Sequence, residues 1–391
     1  MKTAVVHDWL TSYAGSERVL EQLLALYPDA DLFTLVDFLP SSERHGIKKS
    51  SGTSFLQHLP YARTRYRNYL PLMPLAIERF DLSAYDLIVS SSHAVAKGVR
   101  TRPGQLHICY CHTPMRYAWD LREQYLRETG LDRGLKGIAA RAVLEWIRRW
   151  DLKTASRVDH FIANSQYISD RIRRAYGRDA TVIYPPVNVD EFTLIEKRDD
   201  YFLAASRMVP YKKMDLIVKT FAALPGERLK VVGEGPDLEK IRSLAGANIK
   251  ILGYQRGEVL RDLMQRAQAF VFAAEEDFGI IPVEAQACGT PVIAYGRGGA
   301  TETVIPLERA EEGGATGVFF YEQTVDSLIG AVRKFKENRD RFVPRTVRKN
   351  AERFNPLRFR KELDAFIREK LLEHPQEQPI EKSSPRSFRS P

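Results

Sequence analysis

Short apolar runs alternate with amphipathic stretches along most of this 391-residue chain. In the first half, runs such as Thr3–His7 and Leu87–Ser91 predict buried strands, and Glu17–Tyr27 between them predicts a helix. The alternation starts again at Tyr201–Ala205 and continues to Gly317–Tyr321. Buried apolar strands that alternate with helices are typical of parallel sheets covered on both faces. The sequence therefore predicts two doubly wound α/β domains.

A charged and poorly periodic segment, Asp190–Asp200, marks the expected boundary between the two domains. We expect an N-terminal domain over residues 1–190 and a C-terminal domain over residues 191–355. The amphipathic stretch 356–373 predicts a long helix that returns to the N-terminal domain. Pro, Ser and charged residues dominate 374–391, which predicts a disordered tail.

The overall composition argues against several classes of protein. No stretch reaches the roughly 18 apolar residues that a membrane span needs, and the N-terminus enters an apolar strand directly, without a signal-peptide pattern. Three cysteines are too few for a disulfide framework, so we expect a cytosolic protein. The net charge of +9 is compatible with an anionic membrane face, nucleic acid, phosphorylated substrates or an ordinary basic surface.

Two basic segments, Tyr61–Leu75 and Arg141–Trp150, contain interleaved aromatic and apolar residues. Such segments can lie on an anionic bilayer, which would make the protein peripheral on the inner face of the plasma membrane. Each segment can equally be a helix that packs its apolar face into the core. The pattern alone leaves both interpretations open.

The segment Glu276–Glu284 says most about chemistry. It places two carboxylates eight positions apart around a Gly-Ile-Ile-Pro turn. The first follows the apolar run Ala269–Ala273, and the second lies on the helix that the turn opens. Carboxylates accept hydrogen bonds from sugar hydroxyls, and the free backbone N–H groups at a helix start can bind phosphate. The segment therefore predicts a site for a phosphorylated, polyhydroxylated ligand.

Residues directly after the predicted strands are further candidates, because ligands in open α/β sheets bind at the carboxyl ends of strands. Gly15–Ser16 opens a helix after the first strand, and His112 follows the fourth. Arg207 and Lys212 flank a proline turn in the second half, where two fixed cations suit a diphosphate. The Gly253–Tyr254 turn offers another close approach of the backbone. Plain structural interpretations stay open for the first three, namely an N-cap, a buried histidine and a solvated basic turn.

A set of motifs spread over residues 1–373 can be compared with known families. The set comprises Arg207 with Lys212, Gly233-Glu-Gly-Pro236, Asn164-Ser165, the segment Tyr184–Phe192, and Glu276-x7-Glu284 followed by Ala-Cys-Gly-Thr-Pro. Together these motifs resemble those of the retaining glycosyltransferases of family 4 (group 1). This resemblance implies the GT-B fold, in which two Rossmann-like domains face a central cleft.

Three N-terminal stretches narrow the resemblance. Val6–Leu10, Ser90–Gly98 and Tyr110–Tyr117 are similar to those of bacterial O-antigen and exopolysaccharide mannosyltransferases. Such enzymes serve lipopolysaccharide and polysaccharide biosynthesis. The similarity favours GDP-mannose as the donor and a lipid-linked glycan as the acceptor, while UDP-sugars stay open as donors.

The resemblance implies a role for each matching residue. Arg207 and Lys212 would bind the diphosphate of the nucleotide-sugar donor and stabilise the leaving nucleotide. Glu276 would face the donor sugar, and Glu284 would bind the ribose hydroxyls. His112 would contact the sugar from the other domain.

The remaining candidates follow from the same comparison. Many relatives have two glycines in the first helix turn, whereas this chain has Ala14-Gly15, so the backbone approach there has to be checked in the structure. Donor binding is assigned to Gly15, Ser16, Gly253, Tyr254, Gly279, Ile280 and Ile281. Acceptor binding is assigned to His93, Lys97 and Arg116.

The implied reaction transfers a sugar to an acceptor hydroxyl with retention at the anomeric carbon. We expect no cofactor and no metal, because the predicted cleft loops contain no Asp-x-Asp motif and fixed Arg and Lys charges can stabilise the leaving group. Nucleotide-sugar epimerases and sugar phosphorylases share the fold, but no lysine is marked as a pyridoxal phosphate anchor. A nucleic-acid-binding protein would explain the charge but would leave Glu276 and Glu284 without a role, so we expect no nucleic acid partner.

Overall fold

The computed structural model describes residues 1–119, 122–128, 130, 132–311 and 313–374. The predicted disordered tail, 374–391, lies outside the described residues except for His374. Two parallel sheets organise the described chain, one in each half.

The first sheet has seven strands. They are β1 (Thr3–His7), β2 (Asp31–Thr34), β3 (Ser51–Thr53), β4 (Leu87–Ser92), β5 (Leu106–Cys111), β6 (His160–Ala163) and β7 (Ala180–Val182). Their order across the sheet is β3-β2-β1-β4-β5-β6-β7, and each neighbouring pair is parallel.

The second sheet has six strands. They are β8 (Phe202–Ala205), β9 (Leu229–Val232), β10 (Ile249–Ile251), β11 (Ala269–Phe272), β12 (Val292–Tyr295) and β13 (Gly317–Phe320). Their order is β10-β9-β8-β11-β12-β13, again all parallel. The predicted α/β fold with two doubly wound domains is confirmed.

Helices connect the strands of both sheets. In the first half they are α1 (Gly15–Leu26), α2 (Ala62–Arg65), α3 (Met73–Ile77), α4 (Arg122–Glu128), α5 (Gly134–Thr154) and α6 (Gln166–Tyr176). In the second half they are α7 (Met214–Ala222), α8 (Leu238–Ser243), α9 (Gly257–Arg266), α10 (Ile280–Ala287), α11 (Ala300–Thr303), α12 (Val325–Glu337), α13 (Pro344–Glu352) and α14 (Pro356–Glu373).

The central strands are buried along their whole length, which explains their continuous apolar runs. Every residue of β1, β4, β5, β8 and β11 is buried, because helices cover both faces of each sheet. The edge strand β3 was not predicted. Its sequence, Ser-Gly-Thr, contains no apolar side chain, and its pairing with β2 uses only the backbone.

Helix α14 leaves the second domain and packs against the first. Phe359, Leu363 and Ile367 are fully buried in the same cluster as Leu20 and Leu23 of α1. Burial of each such side chain contributes about 1.5–3 kcal/mol, so this contact ties α14 to the N-terminal domain. The chain therefore crosses between the domains twice, before β8 and again between α13 and α14.

The strand order reverses between β1 and β4 in the first sheet and between β8 and β11 in the second. Ligands of doubly wound sheets bind outside the carboxyl ends of strands at such switch points. The loops after these four strands are therefore the places where side chains for a ligand are expected.

Candidate functional site

Loops after β1, β4, β5, β8 and β11 line one cavity between the two domains, here named the interdomain hollow. Its volume is about 560 Å³, which is within the range of small-molecule sites. The predicted site residues on its wall are Gly15, Ser16, His93, His112, Arg116, Lys212, Glu276, Gly279, Ile280, Ile281 and Glu284.

Four predicted residues do not border the hollow. Arg207 is exposed, and the side chain of Tyr254 is 67% exposed. The carbonyl of Gly253 accepts a hydrogen bond from the backbone N–H of Gly233 at 2.8 Å. Donor binding by Arg207, Gly253 and Tyr254 therefore stays a prediction. The fourth residue, Lys97, requires a correction.

Lys97 was predicted to bind the acceptor, and that assignment is wrong. Its side chain is buried, lies 2.8 Å from the Asp151 carboxylate and donates to Thr154 Oγ1 at 3.1 Å. Withdrawing one partner of a buried ion pair costs about 3–5 kcal/mol. Lys97 therefore holds α5 against the loop after β4 and is not available to a substrate.

Lys212 and Glu276 form an ion pair inside the hollow. Both side chains are less than one-fifth exposed. The loop that carries Glu276 is held from behind, because the backbone N–H of Gly299 donates to the Glu276 carbonyl at 2.8 Å. A Cβ at residue 298 would lie 2.4 Å from that carbonyl oxygen, which is too close, so only glycine fits at position 298 beside this loop.

Glu284 lies on the second turn of α10 and pairs across the domain boundary with Arg18 of α1 at 2.7 Å. The two helix starts touch nearby, since a Cβ at Gly15 would lie 2.8 Å from Ile280 Cδ1. The Ala14 side chain is exposed, so a single glycine satisfies the close approach at this turn. Both predicted carboxylates are thus already held by cations.

Asp8 anchors the loop after β4. Its buried carboxylate accepts hydrogen bonds from four successive backbone N–H groups, those of residues 93–96, at 2.6–2.9 Å. The ring nitrogen Nδ1 of His93 lies 3.1 Å from the same carboxylate. Burial lowers the pKa of His93, and the charge of Asp8 offsets part of that effect. Asp8 thereby fixes His93 at the wall of the hollow.

His112 borders the hollow at the end of β5. Its carbonyl accepts a hydrogen bond from Asn164 Nδ2 at 3.0 Å, and its Nε2 lies 2.9 Å from Ser91 Oγ. Burial, followed by the nearby rings of His93 and His7, holds the pKa of His112 well below its usual range. The ring is therefore neutral near pH 7.

Asp277, next to Glu276, is gripped by two arginines of the other domain. Arg171 Nη1 donates to Asp277 Oδ1 at 2.8 Å, and Arg116 pairs with Oδ2. Here these three residues are named the Asp277 clasp. Because Arg116 is engaged in the clasp, binding of the acceptor by Arg116 stays a prediction.

The start of α6 provides a second contact between the domains. The backbone N–H groups of Gln166 and Tyr167 donate to the Glu302 carboxylate at 2.7 and 3.0 Å. Ser165 Oγ donates to the carbonyl of Asp277 at 2.6 Å. The Asn164-Ser165 motif therefore joins the His112 loop to the loop of Glu276.

Sequence reasoning missed Asp8, Arg18, Arg171 and Asp277. Asp8 and Asp277 had a usable signal, since each follows a buried strand at a switch point. Arg18 and Arg171 lie on helices among other charged residues and carry no local pattern that separates them from solvated side chains.

Side chains provide the positive charge of the hollow. Arg18, Arg116 and Lys212 all lie on its wall. Within the described parts of the chain, no three His, Cys, Asp or Glu residues are grouped so that they could hold a metal ion. An anionic ligand would therefore meet fixed cations and the N-terminus of α1.

None of the helices described here is both long and apolar enough to span a bilayer.

Known protein families match both halves of the chain. Residues 14–191 match the family model described as Glycosyltransferase Family 4. Residues 188–354 match the model described as Glycosyl transferases group 1. The two matches meet where the chain passes from the first sheet to the second.

Curated relatives are similar over a part of the chain. Over 207 residues it is 32% identical to the GDP-mannose-dependent monoacylated alpha-(1-6)-phosphatidylinositol monomannoside mannosyltransferase of Corynebacterium glutamicum. The match covers 45% of this chain and 52% of that protein. Over 193 residues it is 28% identical to the D-inositol 3-phosphate glycosyltransferase of Mycobacteroides abscessus, which covers 41% of this chain and 44% of that protein. The chain spans about half the length of these curated relatives.

Solved structures are similar over nearly the whole chain. Anabaena HepE in complex with UDP-glucose superposes with a TM-score of 0.66 at 18% identity and covers 94% of this chain and 100% of that one. Sucrose-phosphate synthase from Thermosynechococcus elongatus superposes with a TM-score of 0.71 at 19% identity and covers 95% and 100%. At such identities the likeness concerns the fold.

Proposed function

This chain belongs to the family 4, group 1 glycosyltransferases with the GT-B fold, and on that premise we propose that it transfers a sugar from a nucleotide diphosphate to an acceptor hydroxyl. One observation carries the proposal: in the interdomain hollow, cations and a helix N-terminus lie beside two carboxylates. A diphosphate requires N–H donors and positive charge, and sugar hydroxyls pair well with carboxylates. The hollow offers both.

Donor binding would exchange the partners of the two ion pairs. In the structure, Lys212 pairs with Glu276 and Arg18 pairs with Glu284. A diphosphate carries more negative charge than a carboxylate, so it would take Lys212 and release Glu276 to the sugar hydroxyls. The ribose hydroxyls would then share Glu284 with Arg18.

Transfer would proceed without a metal and with retention of configuration. Lys212 beside the departing diphosphate stabilises the negative charge that develops as the glycosidic bond breaks. The acceptor attacks from the same face, and the leaving phosphate takes its proton. A cationic side chain held at the wall of the hollow can stabilise that charge in place of a metal.

GDP-mannose is the proposed donor, supported by the mannosyltransferase relatives at 31–32% identity. A UDP-sugar is the alternative, since backbone contacts can accommodate either base. Thermal unfolding with a panel of nucleotide sugars tests the proposal, because a ligand at a hundred times its dissociation constant adds about 2.7 kcal/mol to the free energy of unfolding. GDP-mannose should raise the midpoint more than UDP-glucose. If no nucleotide sugar raises it, the proposed function is wrong.

The proposed acceptor is a lipid-linked glycan at an anionic membrane surface, and α5 supports this. Leu135, Ile138 and Trp146 are 85%, 66% and 49% exposed. Their helical spacing puts them on one stripe with Arg149 and Lys153. This set of five residues is named the α5 stripe. An apolar stripe with basic neighbours is suited to lie in the headgroup region of a bilayer.

The two interpretations given above for the basic segment Tyr61–Leu75 each apply to one of its faces. Tyr66 and Leu70 are buried in the core of the first domain, whereas Tyr61 and Leu75 are exposed. The segment therefore packs one face into the protein and leaves aromatic, apolar and basic side chains on the other. This exposed face is a second candidate for membrane contact.

A further inference from the structure

A buried chain of hydrogen bonds connects two places on the wall of the hollow. It starts at His112, whose Nε2 lies 2.9 Å from Ser91 Oγ, and Ser91 Oγ lies 3.1 Å from Nδ1 of His7. His7 Nε2 lies 3.4 Å from Glu17 Oε1, and the other carboxylate oxygen of Glu17 accepts from Ser16 Oγ at 3.0 Å. His112 and Ser16 both border the hollow, while Ser91, His7 and Glu17 are buried.

Glu17 gives this chain a direction. Its Oε2 oxygen accepts hydrogen bonds from the backbone N–H of Ala14 and from Ser16 Oγ, both at 3.0 Å. Burial raises the pKa of Glu17, but its hydrogen bonds oppose burial and the pKa is lowered, so the carboxylate is ionised. An ionised carboxylate only accepts hydrogen bonds. The Nε2 atom of His7, which faces it, must therefore carry a proton.

The distance between His7 Nε2 and Glu17 Oε1 suits a neutral donor better than an imidazolium. Charge-assisted N–H···O bonds are about 2.7–2.9 Å long, and the separation here is 3.4 Å. A neutral imidazole with a proton on Nε2 has a lone pair on Nδ1. Ser91 must then donate its hydroxyl proton to His7 and accept a hydrogen bond from His112 Nε2.

We propose that this series of hydrogen bonds holds His112 as the neutral tautomer with its proton on Nε2. The lone pair of Nδ1 then accepts a hydrogen bond from a hydroxyl of the bound sugar. Within the described residues, Nδ1 of His112 has no protein partner, and the ring borders the hollow. The sugar assignment rests on the proposed function. Ser91, His7 and Glu17 are then positioning residues, and His112 selects a hydroxyl instead of donating to phosphate.

The tautomer can be measured in the donor-free protein. Long-range 1H–15N spectra of 15N-histidine-labelled protein at pH 7.5, assigned with His112→Gln, should show a pyrrole-like Nε2 and a pyridine-like Nδ1. Ser91→Ala should give averaged shifts from a mixture of tautomers. The matched control is Ser90→Ala, which removes the neighbouring hydroxyl that bonds His107 Nε2 at 2.8 Å and should leave the His112 signals unchanged.

Two outcomes would overturn the inference. One is a pyrrole-like Nδ1 or an imidazolium at His112 in the wild type, which would mean that His7 is doubly protonated or that the chain runs the other way. The other is an unchanged His112 spectrum in Ser91→Ala. Because neither measurement needs a donor, failure here is distinct from failure of the proposed function.

A kinetic readout separates positioning from a merely structural role. If the sugar is held through Nδ1 of His112, Ser91→Ala should lower kcat/KM by about tenfold, the effect of one hydrogen bond, with affinity for the free nucleotide diphosphate unchanged within about twofold. Equal losses in both quantities would show that Ser91 supports the fold of the whole hollow, which would contradict the role proposed here.

Discussion

Arg18 Nη2 lies 2.7 Å from Glu284 Oε1, although the two residues belong to different domains. Glu284 is the proposed partner of the ribose, so Arg18 lies against part of the proposed position of the nucleotide. The pair also joins α1 to α10 and so favours the closed arrangement of the two domains.

Replacing Arg18 separates these two effects. Arg18→Met should lower the free energy of unfolding of the donor-free protein by about 1 kcal/mol, because Arg18 is about one-third exposed and water replaces part of the lost interaction. Saturating nucleotide should then stabilise the variant more than the wild type, since the ribose meets an unpaired carboxylate. Thermal unfolding with and without GDP or UDP measures both. Arg149→Met, on an exposed helix surface, is the control, and an equal gain from nucleotide in Arg18→Met and wild type would contradict the prediction.

The Asp277 clasp should determine how far the domains stay closed. Asp277→Asn weakens the contacts with Arg116 and Arg171 together and should cost about 2–3 kcal/mol, since all three side chains are less than one-quarter exposed. We expect a larger radius of gyration by small-angle scattering and lower transferase activity. Asp262→Asn, which affects only an exposed pair with Arg266, should change neither. An unchanged radius would rule out the clasp as a closing contact.

Stability should fall in acid because of His107. Burial lowers its pKa to about 4, and its Nδ1 lies 3.0 Å from the carbonyl oxygen of Arg157. The unfolded chain binds a proton on this group near pH 6.5 and the folded chain only near pH 4. Stability is therefore complete above about pH 6.5 and is lost by about 1.4 kcal/mol per pH unit as the pH falls toward 4.

Denaturant unfolding of His107→Asn between pH 7.5 and 5 checks this slope. The variant removes the titrating group and retains an N–H donor for the Arg157 carbonyl. As the pH falls, the free energy of unfolding of the variant should decrease less steeply than that of the wild type, by about 1.4 kcal/mol per pH unit, the contribution of one titrating group. Parallel slopes in both proteins would show that other groups control the acid response.

Membrane binding should depend on the apolar part of the α5 stripe. Ile138→Glu combined with Trp146→Glu places two charges in the proposed contact and should reduce the fraction that floats with phosphatidylglycerol vesicles by about tenfold. The control pair, Val259→Glu with Leu357→Glu, adds the same charge at exposed apolar positions elsewhere. Equal losses in both double variants would indicate a general charge effect, and no flotation of the wild type would refute the membrane proposal.

The sheets could be predicted because strands that are covered on both faces consist of continuous apolar residues in the sequence. Strand β1 has the predicted bounds Thr3–His7, and the apolar run Ala269–Ala273 contains β11. The edge strand Ser51–Thr53 gave no such signal. The apolar run that contains β2 continues to Val36, but β2 ends at Thr34, because the backbone N–H of Leu35 donates to the carbonyl of Asp8.

The site could be predicted only in part. Glu276 and Lys212 follow strands at a switch point, and Glu284 lies on the helix after the first of them. His112 follows β5, the neighbour of β4, and the topology brings all four side chains to one hollow. Lys97 also follows a strand, but its partner Asp151 is 54 positions away, so its burial could not be foreseen. Contacts such as those of the Asp277 clasp depend on how the two domains meet, which no local pattern encodes.

The central claim is that the interdomain hollow binds a sugar nucleotide through side-chain cations and without a metal. Calorimetric titration in EDTA tests it directly, with the nucleotide sugar that gives the largest thermal shift added to wild type, Lys212→Met and Lys213→Met. We predict saturable one-site binding by the wild type and by the Lys213 variant, weakened by about tenfold or more in Lys212→Met. Equal affinity in all three proteins, or binding that appears only when a divalent cation is added, would contradict the account.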